Sequence, residues 1–521
     1  MLSSLTEKYG HKIKTAGELK RIIGPRPRAK KVIMCHGVFD VVHPGHLRHL
    51  LYAKSKADVL VTSITADVHI SKGQYRPHVP QELRALNLAA FEIVDYVVID
   101  TNATPIQNIA LLQPDFFAKG YEYTASGLPS KTQEEVVALQ QYGGEVIFTP
   151  GDIVYSSSKL IDLAPPSIKH EKLLTLMEGQ GLSFDALRTA LERLDRFRVH
   201  VVGDTIVDSY TQTAMIGGQT KTPTMSVLYE RRDDYIGGAA IVAEHLRAAG
   251  AQVVFSTVLG NDALKDFVLE GLRARGVVCR EIVDQTRPTT NKNAIVAGGY
   301  RLLKVDTLDN RSISDEILER LAAAIRTEKS DALVFSDFRH GIFNRRTIPR
   351  LIAAIPPGVF RVADSQVASR WGNITEFKDF DLITPNEREA RFALGDQDSG
   401  VRPLASALYD TARCKTLILK LGERGVLTCR SGEHESLDSY IVVDSFAERV
   451  IDAVGAGDAL LAYATLGKLA TGSDAVATIL GSIAAACECE LDGNVPITPV
   501  NVMAKIDDIE RLANYNERAR P

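Results

Sequence analysis

The stretch Cys35-His-Gly-Val-Phe-Asp-Val-Val-His-Pro-Gly-His46 joins a short apolar run, Lys31-Val-Ile-Met34, to a segment with apolar residues at helical spacing. The run is typical of a buried parallel strand, and the spacing after it predicts a helix. His43 and His46 therefore lie in a strand-to-helix turn at the carboxyl end of a strand, where open α/β sheets bind ligands. Gly45 leaves room for a phosphate beside the N–H groups of the helix start.

This stretch resembles the HxGH signature of the nucleotidyltransferase superfamily. Nucleotidyl transfer builds negative charge on the α-phosphate, and fixed hydrogen-bond donors stabilise that charge without a covalent intermediate. The alternative interpretation is a surface turn that happens to hold two histidines. The resemblance spans about residues 28 to 165. It implies catalytic roles for His43, His46 and Lys119 and nucleotide contacts from Gly37, Phe39, Gly45, Arg76, Ser156, Ser157 and Ser158.

Composition bounds the remaining possibilities. A chain of 521 residues is too long for one ordinary domain and predicts two or three. Its 45% hydrophobic and 24% charged residues are normal for a globular protein, and a net charge of −4 provides no basic field for nucleic acid. No apolar run reaches membrane-spanning length, the first residues lack a signal-peptide pattern, and six cysteines are scattered. We therefore expect a cytoplasmic protein without nucleic-acid or membrane partners.

Strand and helix patterns alternate in the first domain, which predicts a parallel, doubly wound sheet. Helices are expected to start near Pro80, Pro105 and Thr132. Strands are expected at residues 59–64, 96–99, 116–118 and 145–149.

Consecutive prolines, Pro165-Pro166, cannot continue a helix and mark a domain boundary. The predicted organisation is a nucleotidyltransferase domain over residues 1–165, a linker with a helix over 166–196, and a second α/β domain over 197–521.

The clearest motif of the second domain is Asp452-Ala-Val-Gly-Ala-Gly-Asp458, which is followed by a helical pattern. Backbone N–H groups of Gly455, Ala456 and Gly457 would form an anion hole for a transferring phosphoryl group. The Asp458 carboxylate could then accept a hydroxyl proton. The alternative is an ordinary glycine-containing loop.

Residues 197–505 resemble the ribokinase-like (phosphofructokinase-B type, PfkB) sugar kinases, whose small β-lid would correspond to residues 209–235 and 287–306. The resemblance implies a role for Glu389 in holding Mg²⁺ indirectly. In the alternative interpretation, Asp204 and Asp208 cap helix N-termini, and Lys292 and Glu389 are solvated surface charges. Nucleotide and phosphate contacts are implied for Asn386, Glu389, Lys420, Gly422, Gly425, Gly455, Ala456 and Gly457, and sugar contacts for Asp204, Asp208, Gly237, Gly238 and Lys292.

Together the two halves resemble the bifunctional heptose-7-phosphate kinase/heptose-1-phosphate adenylyltransferase family of ADP-heptose and lipopolysaccharide biosynthesis, with the domain order reversed. The expected fold class is α/β, an N-terminal Rossmann-like nucleotidyltransferase domain followed by a ribokinase-like domain with a β-lid. The resemblance implies an ATP-dependent kinase acting on the anomeric hydroxyl of a sugar phosphate. It also implies a transferase that joins AMP from ATP to a sugar 1-phosphate and releases pyrophosphate.

The same resemblance implies Mg²⁺ at both sites, allows K⁺ at the kinase site, and favours a homodimer paired through the lids. CTP stays open as the nucleotidyl donor, as does another sugar or polyol phosphate as the substrate. A third hypothesis makes one domain a degenerate nucleotide-binding regulatory module. Ile241 stands where the kinase family's Gly-Gly-Ala-Ala-Asn pattern supplies an amide to a sugar hydroxyl, and His245 is a candidate substitute or simply a packing residue.

Overall fold

The computed structural model describes residues 2–42, 44–70, 77–120, 130–149, 169–217, 225–366 and 373–518. These residues form two compact units: the described parts of 1–179, 433–439 and 513–521 form one, and those of 180–432 and 440–512 form the other. The domain boundaries predicted from the sequence, after residues 165 and 196, stay a prediction.

The first unit contains a five-stranded parallel sheet of order β3-β2-β1-β4-β5. The strand order reverses between β1 and β4, so the carboxyl ends of these two strands flank the crevice where such sheets bind ligands. The strands expected from the sequence are confirmed. They are β1 (Val32–Gly37), β2 (Val59–Thr65), β3 (Tyr96–Asp100), β4 (Phe116–Gly120) and β5 (Glu145–Thr149).

Helices cover both faces of this sheet. Because successive strand side chains point to opposite faces, Ile33 and Cys35 of β1 enter one apolar core while Val32 and Met34 enter the other. The helices of the unit are Leu2–Tyr9, Ala16–Ile23, Pro44–Lys54, Gln81–Ala89, Ile106–Leu112, Ser130–Gln140 and Lys169–Gly179.

A nine-stranded sheet and a four-stranded sheet form the second unit. The large sheet has the order β10-β9-β6-β13-β14-β15-β16-β17-β18; its strands are parallel up to β16, and the last two pairs are antiparallel. Its strands are β6 (Arg198–Gly203), β9 (Gln252–Leu259), β10 (Val278–Val283), β13 (Ala332–Asp337), β14 (Phe360–Ser365), β15 (Leu382–Ile383), β16 (Thr416–Lys420), β17 (Val426–Cys429) and β18 (Tyr440–Val443).

The smaller sheet, of order β12-β11-β7-β8, is the expected lid. Its register sets Asp208 of β7 opposite Lys292 of β11 and Tyr235 of β8. The lid strands are β7 (Thr205–Gly217), β8 (Ser226–Gly238), β11 (Asn291–Ala297) and β12 (Tyr300–Thr307).

Two helices of the second unit, Ala456–Thr471 and Asp474–Cys489, are buried around most of their circumference and pack against each other. Across the described residues, no helix combines the length and apolarity that crossing a membrane requires. The other helices are Phe184–Leu191, Ala239–Ala248, Ala263–Ala274, Asp315–Thr327, Thr347–Ala353, Glu387–Leu394, Val401–Ala412 and Pro499–Arg518.

Gly203, at the end of β6, has no room for a side chain. A Cβ at this position would lie 2.3 Å from the Ser336 carbonyl oxygen and 2.4 Å from the Ala239 Cβ. We expect Gly203→Ala to lower the free energy of unfolding of the second unit by about 1–3 kcal/mol, since the backbone or the helix must shift. Urea denaturation measures this loss.

Gly432→Ala is the matched control, because a Cβ there meets nothing within 4 Å. Equal midpoints for the two variants would contradict the close packing of β6, β13 and the helix Ala239–Ala248.

Candidate active sites

The first candidate site lies at the carboxyl end of β1. Phe39 has a left-handed backbone, with φ of 49°, and its ring lies 5.1 Å from the ring of His46. A Cβ on Gly37 would lie 3.3 Å from the Phe39 ring, so glycine allows the ring to fold back over the strand end. Phe39 therefore fixes the position of His46 in the first turn of the helix Pro44–Lys54.

Arg84 braces the same edge from the helix Gln81–Ala89. Its side chain is fully buried and donates to the carbonyl oxygens of Val38, Val79 and Thr65. It also forms an ion pair with Asp67 at 2.6 Å. These contacts hold together the segments after β1 and β2. The burial of Arg84 is a finding of the structure that the sequence analysis did not predict.

Asp40 of the same motif binds backbone groups. Its Oδ1 accepts the N–H groups of His78 and Val79 at 2.8 and 2.9 Å. Asp40 thus ties the loop before the helix Gln81–Ala89 to the segment that carries the signature.

Lys119 ends near the helix Ser130–Gln140. Its Nζ forms an ion pair with Glu135 and lies 3.3 Å from Thr132 Oγ1. On the neighbouring strand end, burial and then the positive charge of Lys119 lower the pKa of His36 to about 4. His43, Arg76, Ser156, Ser157 and Ser158 lie outside the described residues, so their predicted roles stay predictions.

The second candidate site lies at the start of the helix Ala456–Thr471. Gly455 precedes it in a left-handed conformation, with φ of 89°. The side chain of Lys420, at the end of β16, lies beside the first turn of this helix. A Cβ on Gly457 would lie 3.3 Å from Lys420 Nζ. The same Nζ donates to Asp364 Oδ1 at 3.0 Å. Glycine at 457 therefore gives the lysine its place beside the first helical turn.

Carboxylates outnumber cations around Lys420. Burial opposes the charge of this lysine, but Asp364, Glu389 and Asp458 raise the pKa of Lys420 above its ordinary value. Burial, followed by the charge of Asp364, raises the pKa of Asp458 to about 7, although Lys420 opposes the shift. Burial and Asp364 likewise raise the pKa of Glu389 to about 7. A carboxyl group with a pKa in this range suits a general base at neutral pH, and the catalytic role of Asp458 stays a prediction.

Glu389 and Asn386 form a capping box at the start of the helix Glu387–Leu394. Glu389 Oε2 accepts the Asn386 N–H at 2.7 Å, and Asn386 Oδ1 accepts the Glu389 N–H at 2.8 Å. Glu389 is 6% exposed, so the alternative of a solvated surface charge is wrong. The spacing of these two residues holds the helix start and places a carboxyl group beside Lys420.

Gly422 and Gly425 lie in the loop between β16 and β17 with φ of 63° and 82°. A Cβ on Gly425 would lie 2.0 Å from the Val443 carbonyl oxygen, so close backbone approach requires glycine there. A direct nucleotide contact from either glycine stays a prediction.

Glu488 and Asn494 adjoin the helix start, and the sequence interpretation missed both. A Cβ on Gly455 would lie 2.1 Å from Asn494 Oδ1 and 2.8 Å from Glu488 Oε1. Burial, then the charges of Asp458 and Asp452, raises the pKa of Glu488 to about 7. Glu488 Oε2 and Asn494 Oδ1 are buried oxygens without a hydrogen-bond partner in the described part of the chain.

The lid brings Asp208, Gly237 and Lys292 together. A Cβ on Gly237 would lie 2.4 Å from Asp208 Oδ2, so this glycine makes room for the carboxylate. Burial raises the pKa of Asp208, and the nearby Lys292 and Lys304 oppose that shift. Burial in turn lowers the pKa of Lys292. These groups are consistent with the predicted sugar contacts.

The carboxylate of Asp204 accepts hydrogen bonds from backbone N–H groups. Its Oδ2 accepts the N–H groups of Phe338 and His340 at 3.1 and 3.2 Å, and its Oδ1 that of Ile342 at 3.4 Å. Gly238, with φ of 66°, packs against the Asp204 carbonyl oxygen, where a Cβ would lie at 2.5 Å. These contacts give Asp204 a positioning role, and its predicted sugar contact stays a prediction.

His245, one helical turn after Ile241, has one ring nitrogen in a hydrogen bond, while its Nε2 is buried without a hydrogen-bond partner among the described residues. Its ring is fully buried, and Nδ1 accepts the N–H of Ile497 at 3.2 Å. Burial and the Ile497 contact favour the packing interpretation of His245, and its role as a substitute for the missing amide stays a prediction. Among the described residues, no three or more His, Cys, Asp and Glu side chains are grouped closely enough to hold a metal ion.

Comparison with known proteins agrees with this division. Residues 197–499, more than half of the chain, match the family described as pfkB family carbohydrate kinase. The chain belongs to this family. Residues 34–163 match the cytidylyltransferase-like family. The expected α/β fold class, with a nucleotidyltransferase-like domain preceding a PfkB domain, is confirmed.

Relatives named bifunctional protein HldE confirm the expected resemblance. One from Rhodopseudomonas palustris is 30% identical over 331 residues, which cover 61% of this chain and 65% of that relative. One from Geobacter metallireducens is 38% identical over 138 residues, which cover 26% of this chain and 27% of that relative. The chain thus spans less than two thirds of the first relative's length.

Among solved structures, phosphofructokinase-2 from Escherichia coli in complex with potassium has a TM-score of 0.50 and 18% identity to this chain. The match covers 60% of this chain and all of that one. It shows a shared fold.

Asp458→Asn should stabilise the ligand-free protein at alkaline pH. The folded pKa is about 7 and the ordinary value is 3.8, so between these values the folded chain keeps a proton that the unfolded chain has released. Stability therefore falls as pH rises through this window. Because asparagine cannot ionise, we expect the melting temperature of the variant to exceed that of the wild-type protein at pH 8, with little difference at pH 4.

Asp315→Asn is the control, since that carboxylate is 71% exposed and should give no such gain. A variant at position 458 that melts below the wild-type protein at pH 8 would contradict the excess of buried negative charge.

Proposed function

We propose that the chain is a bifunctional enzyme of nucleotide-sugar synthesis. Its PfkB domain phosphorylates the anomeric hydroxyl of a sugar phosphate resembling heptose 7-phosphate. Its cytidylyltransferase-like domain transfers a nucleotidyl group to a sugar 1-phosphate and releases pyrophosphate. The observation that carries the proposal is Asp458, with a pKa of about 7, in the first turn of a glycine-started helix beside Lys420.

In the kinase reaction, Asp458 accepts the proton of the attacking sugar hydroxyl. The sugar oxygen forms a bond to the γ-phosphorus of ATP, and the bond to the β,γ-bridging oxygen breaks as ADP leaves. The N–H groups of Ala456 and Gly457 have no partners within the helix, and they stabilise the charge on the transferring group. Lys420 contributes positive charge below the same helix start.

In the transferase reaction, an oxygen of the sugar 1-phosphate forms a bond to the α-phosphorus, and the bond to the β-phosphate oxygen breaks. His46, together with His43, donates hydrogen bonds to the α-phosphate, where charge develops. Lys119 and the Ser156–Ser158 stretch hold the outer phosphates. Arg84 and Asp40 keep the strand ends in place through the backbone contacts described above.

Residues around the kinase site would hold Mg²⁺ only together with the nucleotide phosphates, since the described residues form no cluster of three protein ligands. The carboxyl groups of Glu389, Asp364 and Asp458 are oxygen ligands of the kind that Mg²⁺ prefers, and their charge exceeds that of Lys420. When bound, Mg²⁺ would supply positive charge against the phosphate groups of the nucleotide. Glu389 would hold it indirectly, through water, because one of its carboxyl oxygens already caps a helix.

Glu488 Oε2 and Asn494 Oδ1 are suitable oxygen donors for K⁺ beside Gly455. We expect the kinase rate to fall when tetramethylammonium replaces K⁺ at constant ionic strength. Asn494→Ala should be less responsive to K⁺, since it lacks one donor. An unchanged wild-type rate, measured by a coupled ADP assay, would contradict a role for K⁺.

The bifunctional resemblance favours ATP as nucleotidyl donor and heptose as sugar, with CTP and another sugar or polyol phosphate as the alternative. We place the enzyme in the cytoplasm. We also propose a homodimer paired through the lids. Exposed apolar side chains on the lid support this pairing; they are Met215, Ile216, Leu228, Tyr229, Tyr300 and Leu303.

The two active sites should fail independently. Asp458→Asn should lower phosphorylation by about 10²- to 10⁴-fold, because the base is lost, and leave nucleotidyl transfer intact. His46→Ala should do the reverse, with a loss of about 100-fold, because a donor to the α-phosphate is lost. Mass spectrometry of products from a panel of sugar phosphates, sugar 1-phosphates and four nucleoside triphosphates measures both activities.

Loss of both activities in either variant, with the melting curve still cooperative, would contradict the two-site proposal. Nucleotide binding at the kinase domain without turnover of any sugar phosphate would instead favour the degenerate-module hypothesis.

A further inference from the structure

His340 lies in the loop that follows β13, between Asp337 and the helix Thr347–Ala353. Its backbone N–H donates to Asp204 Oδ2 at 3.2 Å, so the loop is anchored to the start of the lid strand β7. The His340 side chain is 5% exposed. This histidine is therefore fixed at the junction of the large sheet and the lid.

The Nδ1 of His340 has a hydrogen-bond partner, and its Nε2 has none among the described residues. His340 Nδ1 lies 2.8 Å from Asn310 Oδ1, and an amide oxygen only accepts, so Nδ1 carries the proton. Nε2 then presents a lone pair. It is buried and has no hydrogen-bond partner among the residues that the structure describes. A buried acceptor left in this state is unfavourable unless a ligand or water donates to it.

The surroundings of His340 indicate which ligand donates. Burial lowers the pKa of His340 to about 4, with the positive charges of Lys292 and Lys304 acting in the same direction, so the ring is neutral at physiological pH. Lys292 belongs to the lid and is paired in register with Asp208. The acceptor is thus within electrostatic reach of the groups assigned to the sugar.

We propose that His340 Nε2 accepts a hydrogen bond from a hydroxyl group of the sugar phosphate and so contributes to sugar specificity. The assignment rests on the proposed kinase function. The Ile241 side chain, buried in the helix Ala239–Ala248, cannot bind a hydroxyl. His245 accepts the Ile497 N–H through Nδ1, so its Nε2 can donate a hydrogen bond but cannot accept one. His340 supplies a polar contact from a different strand end.

Two substitutions separate the ring nitrogens. His340→Asn keeps an amide donor near the position of Nδ1, where it can reach Asn310, and removes the Nε2 acceptor. His340→Gln instead places an amide oxygen near the position of Nε2. The readouts are kcat and KM for the sugar phosphate that the wild-type chain turns over best in the panel, KM for ATP, and the melting temperature.

We expect His340→Asn to raise KM for the sugar phosphate about three- to tenfold, the effect of one hydrogen bond, and to leave KM for ATP unchanged. His340→Gln should recover most of that loss. Because the asparagine variant removes an unpaired buried acceptor, its ligand-free melting temperature should not fall. Deoxy analogues of the sugar phosphate identify the hydroxyl: the analogue that lacks it should have the same KM with both the wild-type and the asparagine variant.

A lower melting temperature of the asparagine variant with an unchanged KM for the sugar phosphate would overturn the assignment and leave the kinase proposal intact. An increase in KM from wild type to the asparagine variant that is equal for all deoxy analogues would do the same. If the wild-type chain phosphorylates no sugar phosphate, the proposed function itself fails and the assignment fails with it.

Discussion

The interaction on which the kinase half depends is the burial of one lysine among three carboxyl groups. Lys420 donates to Asp364 and lies below the helix that starts at Ala456, with Glu389 and Asp458 nearby. Burial, together with carboxylate charge that one cation cannot neutralise, raises the pKa values of Glu389 and Asp458 to about 7. The site is therefore preorganised for an additional cation and for a proton acceptor, at the expense of stability in the ligand-free chain.

A different kind of interaction holds the loops of the nucleotidyltransferase-like half in place. Arg84 is a fully buried cation whose neighbours are mostly backbone carbonyl oxygens, with Asp67 as its ionic partner. Such an arrangement fixes loops without leaving surplus charge at the edge of the sheet. The proposed use of histidine donors on the α-phosphate needs that rigidity, because electrostatic stabilisation depends on dipoles that are already in place.

Local sequence patterns were sufficient to predict many of the strands and helices of this molecule. The strands of the first unit and the glycine-started helix follow from apolar runs, alternation and turn residues over a few positions, and the lid segments follow from the kinase resemblance. What the sequence could not provide are contacts between distant segments. Asp204 binds Phe338, 134 positions away, and Lys420 meets Asp364 across 56 positions. A carboxylate at the end of a buried strand, such as Asp364, is a usable signal, but it does not identify the partner.

The spacing of one sequence motif fits two structural roles. The separation of Asn386 and Glu389 matches a kinase motif and, equally, the geometry of a capping box, and the structure contains the capping box. The two roles are compatible, since the hydrogen bonds that start the helix also hold the Glu389 carboxyl group beside Lys420.

The substitution at Ile241 shows how the fold constrains sugar recognition. A polar residue one helical turn later, His245, is a candidate from sequence spacing, but its Nδ1 already accepts the backbone N–H of Ile497. Its ring therefore offers the site a donor at Nε2 and no acceptor. A group that does reach the lid junction must come from another strand end, and β13 delivers His340 there because Asp204 anchors the loop that carries it. A change in the sugar contacts of this chain would therefore involve residues at its strand ends and not the helix that begins at Ala456.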